Sequence, residues 1–202
     1  MSTIASRPVL TDLVWNTEGS QLWTKRFVLF VAGIVALWVS AKVQIATVPV
    51  PVTLQMLVVM VIGAAYGPRL GFATVAGYLA LGAQGLPVFA GTPEKGIGLA
   101  YMMGPTGGYL IGFALAAVVV GALARAGFDR NPLSMIVAMA AGIPPVYIPG
   151  VNRLSATWGA ALGWENWYAY GLKTFNWVDA LKLVVAVIAF PAIWKLVGDA
   201  RS

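Results

Sequence analysis

The sequence predicts an all-α integral membrane protein with six transmembrane helices, and three observations predict it. Of its 202 residues, 59% are hydrophobic and only 10% charged, against about 25% charged in a soluble domain. The mean hydropathy is +0.82. Apolar runs alternate with short glycine- and proline-bearing breaks at spacings that suit membrane helices. Finally, with six crossings, one side collects Arg7, Lys25, Arg26, Arg69, Arg125, Arg130, Lys195 and Arg201, leaving Lys42, Lys95, Arg153, Lys173 and Lys182 on the other. Every short loop on the first side then carries a cation, which places both termini in the cytoplasm.

Residues 1–24 are polar and mixed and lack the basic start and apolar core of a cleaved leader. They read as a cytoplasmic N-terminal tail, partly disordered or lying on the membrane surface, and 25–202 as a single six-helix domain. Lys25 and Arg26 anchor the first helix, which runs to about Gln44 and carries Ala32 and Ala36 four apart. Small residues at that spacing let helix backbones approach closely in lipid, although ordinary packing inside the chain explains the spacing as well.

Pro49 and Pro51 exclude helix from residues 48–52. Helix resumes near Thr53 and runs to about Tyr66, the Gly67–Gly71 segment turns, and a third helix runs from Phe72 to about Ala83. At about 21 Å each, these two are shorter than a hydrocarbon core of about 30 Å. Short, interrupted segments point to binding sites in transporters. Gln84 to Tyr109 follows, rich in glycine and proline yet carrying Leu86, Val88, Phe89, Ile97, Leu99 and Tyr101. It is too apolar for a disordered linker and reads as a long outer lid loop between helices 3 and 4.

The fourth helix runs from about Thr106 to Ala124. The fifth opens with Pro132 at its first position and is kinked by Pro144, Pro145 and Pro149. Residues 163–177 hold Trp164, Trp167, Tyr168, Tyr170, Phe175 and Trp177, the composition of an interfacial belt. The sixth helix spans about Trp177 to Val197.

The chain has no cysteine and no histidine, which removes thiolate chemistry and the commonest general base and metal ligand. There is no phosphate-binding G-x-x-x-x-G-K-[ST] loop, so the chain does not hydrolyse ATP by that route. The scattered carboxylates offer no metal cage. The positive charge reads as topology rather than nucleic-acid binding.

Asp179 and Lys182 stand three apart and share a helix face. They read equally well as a capping residue with a snorkelling lysine or as two groups facing a substrate path. Gln55, one turn into an apolar run, needs a polar partner in lipid. Phe89, Tyr101, Trp158 and Trp177 read first as packing residues.

Val50-Pro-Val-Thr-Leu-Gln55, Gly67-Pro-Arg-Leu-Gly71, Tyr78-Leu-Ala-Leu-Gly82, Gly85-Leu-Pro-Val-Phe-Ala-Gly91 and Gly104-Pro-Thr-Gly-Gly-Tyr-Leu-Ile-Gly-Phe113 follow one another in order, and Asp179-Ala-Leu-Lys182 stands in the last helix. Together they resemble the BioY family, the biotin-specific S components of energy-coupling-factor (ECF) vitamin transporters, over residues 27 to 197. The resemblance implies an ECF S-component-like fold that captures biotin from outside with high affinity, without enzymatic activity or cofactor, in a prokaryotic inner membrane. It implies a transmembrane T component and two cytoplasmic ATPases as partners, alongside membrane lipids. In the family an Ala-x-x-x-Ala face meets the T component, matched here by Ala32 and Ala36, and an Asp-x-x-Lys pair belongs to the biotin pocket, matched by Asp179 and Lys182. Gln55, Phe89, Gly108 and Tyr109 complete the candidate substrate-binding set. The chain departs from the family at Asn152-Arg153, at Lys173-Thr174 and at Tyr101. Two other readings stand beside this one: a self-sufficient biotin transporter acting as a homo-oligomer, and a membrane enzyme using Asp179 and Lys182 on a lipid-like substrate.

Overall fold

The computed structural model describes residues 7–14, 19–45, 50–162 and 177–199. The elements are α1 (Leu10–Val14), α2 (Ser20–Lys42), β1 (Gln44–Ile45), β2 (Val52–Thr53), α3 (Gln55–Ala83), α4 (Gly98–Met102), α5 (Gly107–Arg125), α6 (Pro132–Leu162) and α7 (Trp177–Asp199). Among the described residues, four helices are long and apolar enough to cross a membrane, those spanning Gln21–Lys42, Gln55–Ala83, Gly107–Arg125 and Pro132–Ala161. Over these residues the protein is a helical membrane bundle in which α3 packs on α2 and α5, α5 on α6, and α6 on α7.

The helical stretch α3 is broken at Gly67, whose φ of 77° and ψ of 174° lie outside the helical region. Glycine alone adopts that conformation at little cost, and Pro68 then starts the second limb at a position needing no donor. The break is a reversal. In a straight helix Gln55 and Tyr78 would stand about 34 Å apart, yet the Gln55 side-chain amide donates to the Tyr78 hydroxyl at 2.7 Å. The limbs on either side of Gly67 therefore run antiparallel as a hairpin, as the Gly67–Gly71 turn predicts, and each is about 18–24 Å long.

α6 begins as expected. The Asn131 side chain accepts from the Ser134 backbone N–H at 2.9 Å, capping a helix whose first residue is Pro132. The prolines inside it remain within a continuous helix, each removing a donor and freeing a carbonyl. Side chains grown on Gly108 and Gly112 of α5 would strike the Pro149 and Pro145 carbonyl oxygens. The two glycines, one turn apart, let α5 lie against the proline-altered backbone of α6.

One expectation needs correction. The N-terminal segment is not a free tail over its described part: Val9 is fully buried, and the Thr11 hydroxyl donates to the Ala65 carbonyl at 2.8 Å. The Arg7 N–H donates to the Arg125 carbonyl at 2.9 Å, and Asp12 pairs with Arg125 at 3.3 Å. One apolar side chain with a few main-chain partners suffices to hold a short polar segment. Helix α2 accordingly starts at Ser20 rather than Lys25. The bundle is all-helical as expected, apart from a two-residue ribbon in which β1 and β2 pair antiparallel with Gln44 opposite Thr53. That ribbon directs Val50 to Thr53 in extended form across one end of the bundle.

At the other end, the fully buried Asp129 accepts from the Trp194 indole N–H at 2.7 Å. The Arg130 guanidinium sits 4.5 Å over the Trp194 ring. Burial pushes the Asp129 carboxyl above the usual carboxylate range, opposed by the Trp194 hydrogen bond and by Arg130. These contacts tie the α5–α6 connection to α7.

Candidate functional site

Between the starts of α3 and α5 and the middle of α6 lies a cavity with about 560 Å³ of space not filled by atoms, part of it open to solvent. Val50, Pro51, Val52 and Thr53 cross it, and Gln55 and Met56 line it from the first limb of α3. The loop and α4 contribute Ala90 and Tyr101. Thr106, Tyr109, Leu110 and Phe113 come from the start of α5, and Val146 and Tyr147 from α6. The proline-directed course of residues 50–53 and the proline-altered stretch of α6 thus both supply parts of its wall.

The lining residues include no charged side chain. They offer apolar walls, the hydroxyls of Thr53, Thr106, Tyr101, Tyr109 and Tyr147, and one amide. Such a set suits a compact ring with hydrogen-bonding heteroatoms and has no nucleophile–base pair. Burial pushes the Tyr101 hydroxyl above the ordinary phenol range, with Thr106 beside it acting the other way, so Tyr101 stays a neutral donor. Among the described residues, no group of three His, Cys, Asp or Glu stands together as a metal site.

The loop from Val88 to Thr92 is fastened from three directions. The Tyr78 hydroxyl, itself accepting from Gln55, donates to the Val88 carbonyl at 2.9 Å. The Lys42 ammonium, at the end of α2, donates to the Phe89 carbonyl at 3.0 Å, the Thr92 carbonyl at 2.8 Å and the Thr92 hydroxyl at 3.1 Å. The Tyr101 hydroxyl donates to the Ala90 carbonyl at 2.7 Å. Phe89 is fully buried, stacked on Tyr101 with centroids 5.0 Å apart and edge-on to Tyr78 at 5.5 Å. Its ring fills the space left by the absent side chain of Gly82.

Of the residues singled out in the sequence, Gln55 and Tyr109 line the cavity, and so does Tyr101, which read first as a packing residue. Phe89 stands behind it and supports the loop. Gly108 sits at the α5–α6 contact, where its lack of a side chain serves packing. Asp179 and Lys182 fall in the first two turns of α7, and their side chains lie outside the described residues. Ala32 and Ala36 are exposed on the outer face of α2. Sequence reasoning missed Tyr147 and Lys42. Tyr147 carried a signal in the proline-dense stretch around it. Lys42 carried none, because its partners lie 47 and 50 residues away.

The BioY family model matches residues 11–199. The chain is 37% identical over 167 residues to the biotin transporter BioY of Thermotoga maritima, covering 78% of this chain and 89% of that protein. It is 35% identical over 150 residues to the probable biotin transporter BioY of Pyrococcus horikoshii, covering 74% of this chain and 84% of that protein. In fold it is similar to the crystal structure of the S-component for biotin from an ECF-type ABC transporter, with a TM-score of 0.74 and 24% identity over 89% of this chain and 95% of that one. The match along nearly the whole chain, together with the ordered motifs that build the cavity and its fastened loop, makes this protein a member of the BioY family.

Proposed function

We propose that this protein binds biotin in the cavity under the Val88–Thr92 loop and serves as the substrate-capturing subunit of an energised uptake system. The observation that carries this reading is a cavity rich in hydroxyls and aromatic rings, free of charged lining residues, in a chain of the BioY family. Biotin's ureido ring suits Gln55 and the tyrosine hydroxyls, and its sulfur ring suits Phe113, Leu110 and Val146. Its carboxylate calls for a cation, assigned to Lys182 with Asp179 beside it. The loop acts as a lid. The reading takes the two limbs of α3 as separate short crossings, giving six with α2, α5, α6 and α7. It also places both termini in the cytoplasm and assigns a T component and two ATPases as energising partners.

Tryptophan fluorescence of the purified protein titrated with biotin tests the binding reading. Saturation by one biotin per chain is expected. Gln55→Leu removes a neutral hydrogen-bonding group and is expected to weaken binding about 2- to 12-fold. Lys182→Met is expected to cost about 10- to 150-fold. Absence of saturable binding in the folded wild type would reject the reading.

Orientation has its own test. Cysteine in place of the exposed Glu94 should react with an impermeant maleimide on intact cells, whereas cysteine in place of Ala126 should react only after permeabilisation. The cation distribution motivates this expectation. The reverse pattern would turn the cavity toward the cytoplasm.

A further inference from the structure

At the end of the bundle opposite the biotin cavity lies a second, larger hollow, with about 1,370 Å³ of unfilled space, between α1, the start of α2 and the Gly67 turn of α3. Four cations line it: Lys25, Arg26, Arg69 and Arg125. Among the described lining residues they face one carboxylate, Asp12, which is paired with Arg125 at 3.3 Å. Lys25 is only 4% exposed, whereas Arg26 and Arg69 reach the surface. Leu29, Leu70 and Ala73 continue the wall toward the middle of the helices. Positive charge gathered in a hollow with one paired anion attracts a polyanionic group, and guanidinium forks match phosphate oxygens well.

We propose that this hollow binds a phosphate group, with Arg26 and Arg69 as its exposed forks. The apolar continuation along Leu29, Leu70 and Ala73 favours a phosphate attached to acyl chains, the headgroup of an anionic phospholipid. Free inorganic phosphate shares the headgroup chemistry but leaves that wall uncovered. The folded N-terminal segment forms one side of the site through Thr11 and Asp12, which gives it a purpose that packing alone does not.

Native mass spectrometry of the full-length protein tests the assignment, using delipidated micelles supplied with phosphatidylglycerol, with phosphatidylcholine, or with inorganic phosphate alone. Saturable retention of one phosphatidylglycerol is expected, with little phosphatidylcholine. Arg26→Gln combined with Arg69→Gln should weaken retention about 30-fold. Arg26→Lys combined with Arg69→Lys keeps the charge, and recovery of most of the retention there attributes the loss to charge rather than misfolding. Retention of inorganic phosphate alone, as strong as that of the lipid and equally sensitive to the glutamine pair, keeps the phosphate site and assigns it to the free anion. Equal retention of both lipids without phosphate binding, or retention unchanged in a glutamine pair that still binds biotin, would overturn the proposal.

Discussion

Lys42→Met is expected to weaken biotin binding about 10- to 150-fold, mainly by speeding release. Methionine preserves the length and apolar stem of lysine but brings no donors. The Phe89 and Thr92 carbonyls would lose the ammonium that now holds both, and a charge-assisted bond of this kind contributes about 1.5–3 kcal/mol. The Tyr78 and Tyr101 hydroxyls would still hold Val88 and Ala90, so the loop would loosen rather than unfold. Because Ala90 lines the cavity, each opening would expose biotin held there to solvent. Stopped-flow displacement of biotin followed by tryptophan fluorescence measures the rate directly. A dissociation rate equal to wild type would show that the Lys42 contacts do not govern release. Lys42→Arg keeps the charge and is expected to fall between the two.

Ala32→Trp together with Ala36→Trp is expected to abolish assembly with the T component, and hence energised uptake, while leaving biotin affinity unchanged. Both alanines are exposed, on a face of α2 shared with Val28, Val31, Val35 and Val39. The opposite face buries Ile34, Leu37 and Ala41. No described residue of α2 lines the cavity, so bulk on the outer face has no direct route to biotin. Close helix approach in lipid depends on small side chains, and two indoles would hold a partner helix away. Co-purification of the double variant with tagged T component and ATPases, beside a biotin titration, measures both effects. Wild-type yield of the full assembly would remove this face from the interface.

The parts of this structure legible in the sequence are those whose causes are local. Gly67-Pro68 announced a reversal because a glycine with positive φ followed by a proline with fixed φ has few other uses. Pro132 after Asn131 announced the start of α6 for similar reasons. Gln55 announced itself as a polar group requiring a partner, and Tyr78 supplies one. What was hidden depends on contacts distant in sequence. Lys42 looked like an ordinary terminal cation of α2, since the carbonyls it holds belong to another segment. Gly108 looked like part of a binding motif, although its visible role is to admit the Pro149 carbonyl. The N-terminal segment looked too polar to pack, yet one buried valine and a few main-chain bonds hold it.

The manner in which the Val88–Thr92 loop is fastened has a consequence for redesign. All three fasteners end on main-chain carbonyl oxygens, those of Val88, Phe89, Ala90 and Thr92. Main-chain oxygens are present whatever amino acid stands at those positions. Phe89, wedged beside Gly82, is committed by its ring, and Thr92 by its hydroxyl. Val88 is committed by its buried side chain, whereas Ala90 is held through its backbone carbonyl and faces the cavity. Position 90 is therefore an interchangeable socket in a fixed frame: a serine or valine there would alter the shape of the cavity wall without unfastening the loop that carries it.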